Sequence, residues 1–185
     1  MEFLSNMHTV SLLAIAFLAV YFIAINWIFL YRFLFLNDWA KKEQASLDAL
    51  LLGSTSVTPL SYLHQFVSKR PISNEIFSLA QTAATKDVTK FLSFISLVAS
   101  TAPFIGLFGT VVSLLSTFTS MATSSTGTIG VVTAGVSDAL VATAVGIFVA
   151  IFAYSYHLIL KRKAYDVVET VRMQSDTLLS QASQQ

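Results

Sequence analysis

The sequence predicts an all-α membrane protein with three transmembrane helices, and three observations carry that prediction. Hydrophobic residues make up 55% of the 185 and charged residues only 11%, against about 25% charged in an ordinary soluble domain. Apolar runs long enough to cross a bilayer, which takes about 20 helical residues, occur at Val10–Tyr31, Phe91–Met121 and Gly130–Leu160. All 11 Lys and Arg fall outside those runs, in two regions, Arg32–Lys90 and Lys161–Arg172. Basic residues gather on the cytoplasmic side of a membrane protein, so the chain reads as N-out and C-in.

Residues 1–9 have no Lys or Arg and are expected on the outer, periplasmic side. The first transmembrane helix is placed at residues 10–36. It lacks a basic n-region and its apolar run is too long for a signal h-region, so it is read as retained. Trp27 and Tyr31 sit where interface anchors belong, and Arg32 is expected to snorkel to the inner surface. Residues 37–90 form a cytoplasmic helical loop. Breakers at Gly53–Pro59 and Arg70–Pro71 leave helical pieces at Asn37–Leu52, Leu60–Lys69 and Ser73–Lys90, with Ser73 as an N-cap. The second transmembrane helix (91–121), a periplasmic link (122–129) and the third helix (130–160) follow. Runs of 31 residues make rods of about 46 Å, so the second and third helices are expected to extend into the cytoplasm. Residues 161–185 are a cytoplasmic C-terminal helix and tail.

Several function classes are excluded by what the chain lacks. A net charge of +1 argues for neither nucleic acid nor a polybasic tether, and with no Cys there is no disulfide framework. There is no Walker A loop, no HExxH, no GxSxG and no pair of intramembrane Asp residues. His8, His64 and His157 are isolated and lack metal-ligand spacing. The chain is therefore not read as an enzyme, and no cofactor or metal is expected.

Asp138 is the only Asp, Glu, Lys or Arg among the 70 residues Phe91–Leu160. A carboxylate near the bilayer centre costs roughly 2.5–3.5 kcal/mol on insertion scales, so it rarely sits there without a partner or a task. Two stripes flank the question. In the second run Ala99, Pro103, Gly106, Thr110, Ser113, Thr117 and Ser120 recur every three or four residues and so share a helix face. In the third, Gly135, Ala139, Ala142, Gly146, Ala150 and Ala153 form a second small-residue face, bordered on opposite sides by Asp138 and Thr143. Such faces often serve only helix packing, intramembrane Thr often bonds back to its own helix, Pro103 can be a simple kink, and Asp138 can be a structural cap. One acid and two polar stripes cannot enclose an ion route alone. A ring of identical subunits or a partner helix is therefore expected, with the second and third helices at the centre and the first against lipid.

The segments Thr101–Phe118 (TAPFIGLFGTVVSLLSTF) and Gly135–Ile151 (GVSDALVATAVGIFVAI) resemble the TolQ/ExbB/MotA family of proton-channel subunits, most closely its TolQ and ExbB branch. The likeness is specific over Ser96–Tyr156. The family's GLFGT motif reads Gly106–Thr110 here, and its conserved Glu falls on Asp138. Its two pore threonines fall on Thr110 and Thr143. Asp replaces Glu, Ala134 stands where Pro is usual, and the loop is short for the branch. The resemblance implies a proton pathway through Asp138, Thr110 and Thr143, lined by Pro103, Gly106, Ser113, Thr117, Gly135, Ala139, Ala142 and Gly146. It further implies a homopentamer in the bacterial inner membrane around a TolR/ExbD-like single-span partner. That assembly would use the proton motive force to energise a TolA/TonB-like periplasm-spanning protein. A passive membrane scaffold with a structural Asp138 is the alternative.

Overall fold

The computed structural model describes residues 9–68, 73–123 and 129–183. The side chains of residues 9, 10, 120, 122, 123, 129–132, 134 and 138 lie outside that description. So do the expected periplasmic N-terminus up to residue 8, the Arg70–Pro71 break and most of the 122–129 link.

All regular structure among the described residues is helical. It comprises α1 (Thr9–Leu51), α2 (His64–Val67), α3 (Asn74–Val88), α4 (Leu92–Thr123) and α5 (Ile129–Ala182). Three of these, α1, α4 and α5, are long and apolar enough to cross a membrane. The chain is a multi-pass membrane protein.

The helix boundaries refine the sequence reading. At 54 residues, α5 runs well past the third apolar run, as expected. The segments placed at residues 10–36 and Asn37–Leu52 belong to one helix, α1, which continues unbroken for 43 residues. Nothing between Phe35 and Leu51 breaks a helix, since the first Gly of the chain is Gly53. There α1 ends in a Schellman turn: Ser54 N–H donates to Ala49 O (3.1 Å) and Gly53 N–H to Leu50 O (3.1 Å). Gly53 takes φ +100°, which a residue without a Cβ adopts freely. Ser73 caps α3 as expected, accepting from Ile76 N at 3.4 Å. The piece read at Leu60–Lys69 shrinks to the single turn α2. Thr89–Phe91 separates α3 from α4, and Phe91 stands in the left-handed region at φ +66°.

The chain divides into two compact units. The first comprises Met1–Trp27 and Phe94–His157. Here Leu18, Ile25, Ile95, Val98 and Val149 are buried among the small residues of α4 and α5. Phe22 sets its ring against Phe148 (5.7 Å) and Phe152 (5.6 Å). Large side chains such as Phe104, Leu115, Phe118 and Ile151 point outward, a composition that suits lipid or a neighbouring subunit.

The second unit, Ile28–Ser93 with Leu158–Gln185, is held by apolar packing around Leu36, Leu47, Leu50, Leu63 and Phe77, together with a buried polar clasp. Glu43 on α1 is fully buried. Its carboxylate accepts from Trp39 Nε1 (3.0 Å), Tyr62 N (2.7 Å), Ser61 Oγ (2.9 Å) and Gln174 Nε2 (2.8 Å). Gln174 Oε1 accepts from Ser46 Oγ at 3.1 Å, leaving the single Ser61 proton for Glu43. The Glu43 carboxylate thus faces four donors, two on each oxygen, which is the condition for burying a carboxylate. Three separate stretches of chain meet at this one acid.

Candidate functional site

The site is built on a close approach of α4 and α5 within the first unit. A Cβ placed on Gly106 would stand 2.7 Å from Ala142 O and 3.2 Å from Gly146 Cα. One placed on Gly146 would stand 2.7 Å from Ala102 O and 3.0 Å from Gly106 Cα. All of these neighbours are backbone atoms, so the two glycines let the helices meet main chain to main chain. Further along, a Cβ on Gly135 would collide with the side chain of Thr117. The two small-residue faces read from the sequence are therefore turned toward each other in one chain. Ala139, Ala142, Ala150 and Ala153 are buried, as are Thr110, Ser113 and Thr117.

Hydroxyls gather in this seam. Thr110 Oγ1 and Thr143 Oγ1 hydrogen-bond directly to each other across it. Thr110 Oγ1 also lies 3.0 Å from Gly106 O and 3.4 Å from Ala139 O, the carbonyl one residue beyond Asp138. Thr110 has one proton to give. When it goes to Gly106 O, the back-bond usual for a helical Thr, Thr143 must be the donor across the seam. The pair can thus exist in two hydrogen-bond directions, the minimum a hydroxyl needs to pass a proton along.

One turn on, Ser113 is fully buried and its hydroxyl has no partner among the described residues. Ser11 on α1 is equally buried and likewise has no partner among the described residues. Contacts between Ala14 and Gly109 and between Tyr21 and Phe94 show α1 running antiparallel to α4. Stepping back one turn from Ala14 and forward one from Gly109 brings Ser11 and Ser113 to one level. Buried hydroxyls without protein partners are the groups that an internal water satisfies.

Of the residues singled out from sequence, Thr110, Thr143, Gly106, Ser113, Thr117, Gly135, Ala139, Ala142 and Gly146 come together here. Pro103 lies half-buried inside α4, which continues through it and leaves Ala99 O without its helical donor. Asp138 lies on α5 immediately before Ala139, and its side chain is outside the described residues. No group of His, Asp and Glu able to hold a metal occurs among the described residues.

Sequence reasoning passed over three contributors. Gly109, quoted only as part of a motif, seats Ala14 of α1, so the first helix also has a small-residue contact. Ser11 was indistinct among its apolar neighbours. Asn26, the one amide in the first apolar run, was the legible signal. Its Nδ2 donates to Phe22 O (2.8 Å) and its Oδ1 accepts from Tyr156 Oη (2.8 Å), tying α1 to α5.

Comparison with known proteins agrees with the seam's motifs. The model of the MotA/TolQ/ExbB proton channel family matches residues 61–173. A Helicobacter pylori (strain ATCC 700392 / 26695) biopolymer transport protein named ExbB-like 1 is 40% identical over 176 residues, covering 92% of each chain. The Pseudomonas aeruginosa Tol-Pal system protein TolQ is 45% identical over 60 residues, 32% of this chain and 26% of that one. The Pseudomonas putida biopolymer transport protein ExbB is 38% identical over 69 residues, 37% of this chain and 21% of that one. The family energises transport and is not one of enzymes, and its general role is energy transduction across a membrane. With more than half its length matched and a full-length relative at this identity, the chain belongs to the MotA/TolQ/ExbB proton channel family.

Proposed function

We propose that this chain is an inner-membrane proton-channel subunit in which Thr110 and Thr143 relay protons to and from Asp138. The single observation that carries this reading is the hydroxyl pair, Thr110 Oγ1 to Thr143 Oγ1, set in a seam that otherwise holds only small residues. The partnerless hydroxyl of Ser113 supports a hydrated continuation toward the 122–129 link. Asp138 is the one Asp, Glu, Lys or Arg in the two apolar runs that form the seam, so no Lys or Arg there can hold it ionised. It would take up and release the proton. The chain runs N-out and C-in, and its copies form a homopentameric ring with α4 and α5 toward the centre. The ring surrounds a TolR/ExbD-like single-span partner and drives a TolA/TonB-like periplasm-spanning protein, for envelope maintenance or outer-membrane import. Proton flow supplies about 2.3 kcal/mol per charge per 100 mV.

Valine substitution tests the relay, since it keeps the shape of Thr and removes the hydroxyl. Thr110→Val and Thr143→Val are each expected to abolish most proton leak through the assembled complex without losing the oligomer, and Thr→Ser to keep much of it. Asp138→Asn is expected to assemble and to be inactive. Full activity of both Val variants would return the pair to the packing role that the Thr110–Gly106 back-bond favours, and with it the scaffold reading.

A further inference from the structure

A cavity of about 500 Å³ lies in the second unit, with walls that include Arg32, Trp39, Tyr62, Asp87, Lys90 and Phe91. We propose that it binds the phosphodiester of an anionic membrane phospholipid, with the Arg32 guanidinium as the principal ligand.

The reason is an unbalanced charge. Arg32 is only 4% exposed, so its guanidinium is largely withdrawn from water. Its Nη2 donates to two neutral carbonyls, Asp87 O (2.9 Å) and Val88 O (2.6 Å), closing the C-terminal end of α3. Its Nε has no partner among the described residues, and its Cζ lies 5.2 Å over the Phe35 ring. No carboxylate among the described residues makes an ion pair with it. A buried cation held only by neutral dipoles is costly unless an anion completes its shell.

The nearby acid is committed elsewhere. Asp87 accepts from Tyr62 Oη at 2.9 Å and pairs with Lys90 Nζ at 3.3 Å. The Tyr62 hydrogen bond, then Lys90, hold its carboxyl below the usual range, so it is ionised and already satisfied. With Asp87 balanced by Lys90, Arg32 leaves the cavity one positive charge in excess. A phosphodiester monoanion supplies the matching charge, and its oxygens accept from the planar fork of an Arg.

Position in the chain selects the source of that phosphate. Arg32 directly follows the first apolar run and Phe91 opens the second, which is the depth of the headgroups on the side of the basic loop. The aromatic walls suit the glycerol and upper acyl carbons beneath a headgroup. Phe91 holds its place at φ +66°, a conformation costing a bulky residue on the order of 1–2 kcal/mol. Strain of this kind persists where the surroundings hold the residue to a task.

The experiment is native mass spectrometry of the delipidated full-length chain, titrated with phosphatidylglycerol, phosphatidylcholine or inorganic phosphate. One phosphatidylglycerol per chain is expected to remain under conditions that strip phosphatidylcholine, and inorganic phosphate at equal concentration is expected not to displace it. Arg32→Gln should weaken retention about tenfold, the loss of a charge-assisted hydrogen bond. Because Arg32 also closes α3, Lys90→Gln gives the deciding variant if Arg32→Gln loses helicity. Its side chain is exposed, and retention should fall about fivefold with helicity unchanged. Equal retention of the two lipids, displacement by inorganic phosphate, or unchanged retention in Lys90→Gln would each overturn the proposal.

Discussion

Adding one methyl group at Gly146 is expected to disable the seam, and the structure sets how far the helices must move. The new Cβ would meet Ala102 O at 2.7 Å, Gly106 Cα at 3.0 Å and Gly106 N at 3.2 Å, all backbone. No rotamer change relieves a clash with main chain. To restore ordinary contact α4 and α5 must part by about 0.7 Å, an overpacking that costs about 1–3 kcal/mol. The Thr110–Thr143 hydrogen bond lies one turn away on both helices and would stretch by a similar amount. A proton relay falls off steeply with such a gap, so the loss of proton leak in Gly146→Ala should exceed what reduced protein level explains. Gly109→Ala is the matched control. Its Cβ would meet Ala14 Cβ at 3.1 Å and Ala142 Cβ at 3.3 Å, so a few tenths of an ångström of give suffices, and it should cost less than Gly146→Ala in both assays. Unfolding of both variants by denaturant in detergent, alongside proton leak in vesicles, makes the comparison. Equal tolerance of Ala at Gly146 and Gly109 would refute the backbone-contact reasoning.

Two further outcomes concern the second unit. Glu43→Ala removes the only acceptor recorded for Trp39 Nε1 and Tyr62 N; two buried donors left unsatisfied should cost about 2–6 kcal/mol, read as early thermal unfolding and protease cleavage within residues 52–63. Burial first, then the hydrogen bond to Asp87, pushes the Tyr62 phenol up to about 12. Its neutral form is therefore favoured by folding, so its contribution is complete below the ordinary tyrosine value of about 10 and is lost as pH rises from there toward 12. Ultraviolet difference absorbance should show a late-ionising tyrosine phase, and Tyr62→Phe should remove it.

How much of this was legible in the sequence depended on whether a signal was local. The three apolar helices, the Ser73 cap and the stop at Gly53 are all written in short stretches, and they appear where expected. The stripes were equally legible, because a helix face needs only the period of the chain. What periodicity could not supply was the partner of each face. Whether Gly106 opposes a neighbouring subunit or Gly146 of its own chain depends on which helices meet, and no single segment encodes that. The same limit hid the Glu43 clasp. Its members Trp39, Ser46, Ser61, Tyr62 and Gln174 stand up to 131 residues from Glu43, and each alone is an ordinary loop or helix residue.

Arg32 shows the converse case, a residue whose local reading was reasonable and incomplete. At the end of an apolar run an Arg is expected to reach outward to water, yet Arg32 turns inward because α3, which ends 56 residues further along the chain, presents unsatisfied carbonyls within its reach. An exposed Arg would gain little from those carbonyls. The inward turn is favourable only if the remaining charge is met as well, and this links the fold of the loop to the lipid phosphate proposed for the cavity.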